Sequence, residues 1–185
     1  MATFIDPEAV LSQPIPANPV PADFDHLSKS LAFRGLGWSS SHRHRIVVKL
    51  AKHAVVAGPS ILASVSEFPR GDVLDAAVDA LDPLSGTLEG VVLLEEWIVS
   101  ASSEHIHARE VCARVLGRVE KPELVQRATV FLTKMLNDPT DADLRYAAVW
   151  PLVQLDAKSV LENAAKTETD PLVQKELQDA INTLS

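Results

Sequence analysis

The side chains able to do chemistry crowd into a few short stretches. "GWSSSHRHRIVVKLAKH", Gly37 to His53, carries Arg43, Arg45, Lys49 and Lys52, with His42, His44 and His53 among them. His42, Arg45, Lys49 and Lys52 recur at helical spacing and form one cationic stripe, while Ile46, Val47, Leu50 and Ala54 form the apolar side. Ser39 to Ser41 precede them, so a helix starting here offers hydroxyls, backbone N–H groups and guanidinium groups to an anion. Arg43 and Arg45 lie in the first turn, against the helix dipole. Three uses stay open: pairing with the chain's own acids or solvent, contact with an acidic protein, or binding of a phosphate-bearing ligand or nucleic acid.

A second stretch, "LEEWIVSASSEHIH", places Glu95, Glu96 and Glu104 near His105. A carboxylate–histidine pair can move protons. No nucleophile, glycine-rich phosphate loop or second matched carboxylate accompanies it, so it is expected to be a polar connection in which Ser100 to Ser103 cap the next helix. Cys112 falls on an apolar stripe and is expected in the core rather than as a reactive thiol. His42 and His44 are two apart, as are His105 and His107, a spacing that points rings to different faces of a helix. With no Cys-x-x-Cys or HExxH motif, neither a metal nor a cofactor is expected. Trp97 lies in an apolar run and is expected in the core, Trp150 precedes Pro151, and Trp38 has few packing partners in sequence and is a candidate anchor for a partner.

These groups need a scaffold, and the composition limits it. The 185 residues are 46% hydrophobic but only 5% aromatic, with 7 glycines, which favours close helix packing over a turn-rich β fold. One cysteine excludes an intrachain disulfide and fits a reducing compartment. The first residues show no signal peptide, and no apolar run approaches the roughly 20 residues of a membrane helix. A cytoplasmic protein without membrane contact is expected. The formal charge is −8, yet residues 26–66 hold six cations and no acid, leaving 11 cations against 25 acids elsewhere. That excess of acid repels a long polyanion, so nucleic acid is an unlikely partner and a basic protein the better one.

Residues 1–22 contain five prolines and are expected to form an extended arm, with the helical domain filling 23–185. Periodicity and punctuation predict helices over 23–33, 40–57, 60–67, 71–81, 86–101, 104–118, 122–137, 141–155, 158–167 and 171–184. Pro59 separates the second and third. Asp170 is a good N-cap, and Thr140 with Asp143 resembles a capping box.

A repeat runs through the C-terminal half. A shift of 29 residues lays "DADLRYAAVWPLVQL" on "DPLVQKELQDAINTL", matching Leu144 to Val173, Ala148 to Leu177 and Leu152 to Ile181. A shift of 36 lays "AREVCARVLGRV" on the first of these, matching Arg109 to Arg145 and Cys112 to Ala148. With the helices between them, the unit is a helix pair. It resembles the HEAT-repeat superfamily, particularly its short bacterial repeats, through Asp138, Pro139, Leu144, Arg145, Ala148 and Leu152; the last copy carries Gln174 in place of the arginine, as an end cap does.

The resemblance implies an all-α, short right-handed HEAT-like α-solenoid of antiparallel helix pairs with the proline-rich arm at its N-terminus. It also implies binding more often than chemistry, although a minority of such proteins are phycobilin lyases or DNA glycosylases. The expected function is thus non-enzymatic protein–protein recognition, as adaptor, scaffold or neutraliser of a basic partner such as a toxin. Glu95, Glu96, Glu104, Asp138, Asp141 and Asp143 would supply the acidic surface, with Trp38, His42, Arg43, Arg45, Lys49 and Lys52 as a second contact region. The alternative is a HEAT-like enzyme acting on a tetrapyrrole or on DNA, which requires a concave pocket with a carboxylate near Trp or His. No oligomeric state is implied.

Overall fold

The computed structural model describes residues 6–32 and 39–184; Trp38 and Arg34 lie outside them. The described residues form eleven α-helices and no strand. In chain order these are α1 (Pro7–Ser12), α2 (Asp25–Ser30), α3 (Ser40–Ala51), α4 (Ala54–Glu67), α5 (Gly71–Leu81), α6 (Leu88–Ser100), α7 (Ile106–Leu116), α8 (Pro122–Leu136), α9 (Ala142–Gln154), α10 (Lys158–Ala165) and α11 (Pro171–Thr183). None of them is long and apolar enough to cross a membrane. They fall into two compact units, residues 1–83 and 84–185.

In the second unit the helices pair as α6 with α7, α8 with α9, and α10 with α11. The second members stack in series, α7 on α9 and α9 on α11, as expected for HEAT-like repeats. The matched stripe positions Ala108, Cys112, Leu116, Ala148, Leu152, Val173 and Leu177 are all buried there. Each fully buried leucine contributes about 1.5–3 kcal/mol from water exclusion. At Gly117, beyond α7, a Cβ would stand 2.8 Å from Pro151 Cα, so glycine is what allows α9 to approach this closely. The α9–α10 turn is closed by bonds from Asp156 N–H to the Val153 carbonyl and from Ala157 N–H to the Leu152 carbonyl, with Asp156 left-handed at φ 55°.

The first unit alternates in the same way: α3 stacks on α5, and α2 on α4. Phe24, Leu27, Leu31, Ile46, Leu50 and Ile61 fill its core. Two expectations are corrected here. Pro7–Ser12 is helical, because Pro7 takes the first helical position and Asp6 caps it by accepting from Glu8 N–H; the segment 13–20 stays non-helical. The predicted break at Pro59 is instead at Lys52–His53, and α4 runs through Pro59. The carbonyl that Pro59 cannot serve belongs to Val55, which is exposed, so water can satisfy it. His53 is held at the real break by its ring contact with Phe24, centroids 5.4 Å apart.

Candidate functional site

Much of the cationic stripe is partnered within its own unit. Arg45 forms a bidentate pair with Glu8 at 2.5 and 3.1 Å, and His42 Nε2 lies 3.4 Å from the same carboxylate. Lys49 donates to the carbonyls of Leu11 and Gln13 at 3.0 and 2.6 Å, where α1 ends; burial pushes its pKa down. Arg43 pairs with Asp72 of α5 at 3.1 Å. Ser39 caps α3, its hydroxyl accepting from His42 N–H while His42 Nδ1 accepts from Ser39 N–H. Two arginines against their own helix dipole are thus met by Glu8 and Asp72. His44 and Lys52 are exposed.

The expected acidic surface divides. Glu95 is 9% exposed, because its face of α6 turns to α8, where Arg127 forms a bidentate pair with it. Asp141, not Thr140, is the N-cap of α9, accepting from Leu144 N–H at 2.9 Å and from Arg109 at 2.6 Å. Asp138 Oδ1 accepts from Thr140 N–H, the Thr140 hydroxyl and Asp141 N–H, all at 2.9 Å, and the two backbone donors foremost hold its pKa below the ordinary value. These three carboxylates act within the fold. Glu96, Glu104 and Asp143 are exposed.

The arginines matched by the repeat do equivalent work. Arg109 of α7 bonds the Ala101 carbonyl ahead of its own helix and the cap Asp141 of α9. Arg145 of α9 bonds the Asp138 carbonyl ahead of its own helix and Glu168, two residues before the cap of α11. Glu168 Oε1 in turn accepts from Thr169 N–H and Asp170 N–H. The cavity of about 210 Å³ beside Asp138, Arg145 and Glu168 is thus walled by the groups that fasten α9 to the start of α11. Cys112 is buried and unpaired, and burial pushes its thiol far up, as expected of a core cysteine.

Other concave features occur among the described residues; one of about 430 Å³ lies beside the Glu95–Arg127 pair, lined by Gln126, Val130, Phe131 and Lys134. A groove of about 390 Å³ crosses α7, α9 and α11, lined by Glu110, Arg114, Tyr146, Trp150, Gln154 and Glu176 around the small buried Ala147 and Pro151. Tyr146 and Trp150 are four residues apart on one face of α9 and are 42% and 40% exposed, unusual for aromatic side chains. Trp150 Nε1–H donates to the Glu176 carboxylate, and the Tyr146 phenol stands near enough to that group to feel its charge. Burial, then the charge of Glu176, pushes the Tyr146 phenol above its ordinary value. Across the groove Glu110 lies 3.5 Å from His107 and 3.8 Å from Arg114. The arrangement combines two aromatic faces, a guanidinium and two carboxylates in one groove. In the sequence, Trp150 stands out only for the proline that follows it. The available signal was the chain's one tyrosine standing four residues before it.

No family model matches the sequence. The chain is 30% identical over 106 residues to the bilin biosynthesis protein PecF of Nostoc sp. (strain PCC 7120 / SAG 25.82 / UTEX 2576), a match covering 52% of this chain and 61% of that protein. The fold is that of a HEAT-like helical repeat. It is similar to a chain from a solved structure described as the structural basis of microtubule plus end tracking by XMAP215, CLIP-170 and EB1, with TM-score 0.51 and 19% identity over 97% of this chain and 82% of that one. The similarity to a biosynthesis protein overturns the expectation of a non-enzymatic module. That expectation weighed the absence of a sequence motif, whereas the groove is built from three helices far apart in the chain.

Proposed function

We propose that the protein holds an open-chain tetrapyrrole in the groove of α7, α9 and α11 and takes part in bilin chemistry. The observation that carries this reading is the grouping of Tyr146, Trp150, Glu176 and Arg114 in one groove. Flat conjugated rings stack on aromatic faces, a guanidinium forks a propionate, and a carboxylate accepts from pyrrole N–H groups. The similarity to a bilin biosynthesis protein supports it, as does the lyase minority of the HEAT-like superfamily. The test is an absorption titration of the purified chain with biliverdin. A saturable spectral change that weakens about tenfold or more in Trp150→Ala, about 1.4 kcal/mol, is expected. Absence of saturable binding overturns the reading.

A second reading concerns a protein partner. Glu96, Glu104 and Asp143 stay exposed and would favour a basic surface, such as that of a protein receiving the pigment. Salt-sensitive binding to a basic protein should weaken in the triple variant Glu96→Gln, Glu104→Gln, Asp143→Asn; unchanged binding counts against it.

A further inference from the structure

Two carboxylates line the groove, and their surroundings differ. Glu110 of α7 has cations beside it, His107 at 3.5 Å and Arg114 at 3.8 Å. Glu176 of α11 accepts from a neutral donor, the Trp150 indole N–H, and the Tyr146 phenol lines the same groove beside it. The neighbouring cation on its own helix, Lys175, pairs with Asp179 at 3.1 Å and interacts with Glu176 only through charge, without a direct bond. On α10, which also packs on α11, Lys158 donates to the Leu184 carbonyl and Glu162 is exposed; neither lines the groove. A carboxylate held by a neutral donor is fixed in place while keeping its negative charge for a third party. Trp150 aims it, and Tyr146 flanks it in the same groove.

Taking the tetrapyrrole reading as its basis, we propose that Glu176 is the anionic partner of the ligand's ring nitrogens, with Trp150 as the residue that positions it. The carboxylate would accept hydrogen bonds from the pyrrole N–H groups and stabilise the ring system in its N-protonated, cationic form. The proton on the ligand is taken from solvent, and no bond to carbon is made or broken. Arg114, on the opposite wall, suits the propionates and cannot do this work, because a guanidinium only donates.

The experiment is a pH titration of the biliverdin complex followed by visible absorption, since protonation of the conjugated system shifts its spectrum. In the parent protein the bound pigment should hold its proton to a higher pH than free biliverdin. Glu176→Gln keeps the shape and removes the charge. Its midpoint should fall by about one pH unit or more, the size of shift a nearby opposite charge produces. Glu176→Asp should keep most of the parent's midpoint, and Trp150→Phe should lie between. These readouts do not move if Glu176 merely ties α11 to α9. A Glu176→Gln midpoint equal to the parent's overturns the assignment while leaving tetrapyrrole binding intact. A parent protein that binds no biliverdin instead overturns the reading beneath it. Should Glu176→Gln fail to fold, a midpoint unmoved in Trp150→Phe overturns the assignment.

Discussion

Arg145 and Glu168 meet through two parallel bonds of 2.8 and 3.0 Å, with side chains only 13% and 5% exposed. Their pairing draws the α9 helix onto the loop that starts α11. Removing one member strands a buried charge, which costs roughly 3 kcal/mol or more. Arg145→Ala should therefore lower thermal stability sharply. The double change Arg145→Met with Glu168→Leu should recover most of it, measured by denaturant unfolding. Equal instability of the two variants would show that the pair is not the source.

The same pair sets a pH dependence. The Arg145 hydrogen bonds foremost hold Glu168 below its ordinary value of 4.5, and backbone donors hold Asp138 below 3.8. A depressed folded pKa means that the stabilisation is fully present above the ordinary value and is lost as pH falls through the folded one. Stability should decline below roughly pH 4.5, and this decline should be shallower in the Arg145→Met, Glu168→Leu protein. Identical acid slopes in the two proteins would contradict this.

Gly117 tests the groove's foundation. A methyl group there would meet the Pro151 backbone at 2.8 Å, and backbone cannot swing away as a side chain can. Gly117→Ala should destabilise by about 1–3 kcal/mol through overpacking. Because Pro151 also lines the groove, the variant should bind biliverdin less well even at temperatures where it is folded. Unaltered melting would show that α9 yields at no cost.

The arm offers a charge-swap experiment. Glu8 and Arg45 are both well exposed, so their pairing contributes to docking rather than to global stability. Arg45→Glu should speed protease cleavage within residues 13–20 while leaving the melting temperature nearly unchanged. Adding Glu8→Arg should restore protection. Cleavage that is equally fast in all three proteins would remove the pair from the account.

Much of the architecture could be read from the chain. Pro122, Asp170 and the Gly71 start are local signals, and α5, α8 and α11 end within a residue or so of expectation. The repeat located the stripe that α7, α9 and α11 bury. Other features depended on partners distant in sequence. Glu95 looked like surface because Arg127 is 32 positions away, and the α1 contact with the cations of α3 spans 37. Pro59 is a poor guide because α4 accommodates it where the residue losing its donor, Val55, is exposed. The groove escaped notice for the same reason as Glu95. Trp150 and Glu176 become neighbours only when α9 stacks on α11.

The matched arginines also give the array a direction. Arg109 reaches forward to the cap of α9, and Arg145 reaches forward to the loop before α11, whereas α11 carries Gln174 at the equivalent place. The α8–α9 and α10–α11 pairs are thus each fastened by a residue belonging to the pair before it. Peeling α10 and α11 away leaves Arg145 without Glu168 but disturbs nothing at Arg109. Losing α8 and α9 removes one fastening and orphans the next. Unfolding of this unit should therefore proceed as a zipper opening from the α11 side, with hydrogen-exchange protection rising stepwise from α11 to α9 to α7.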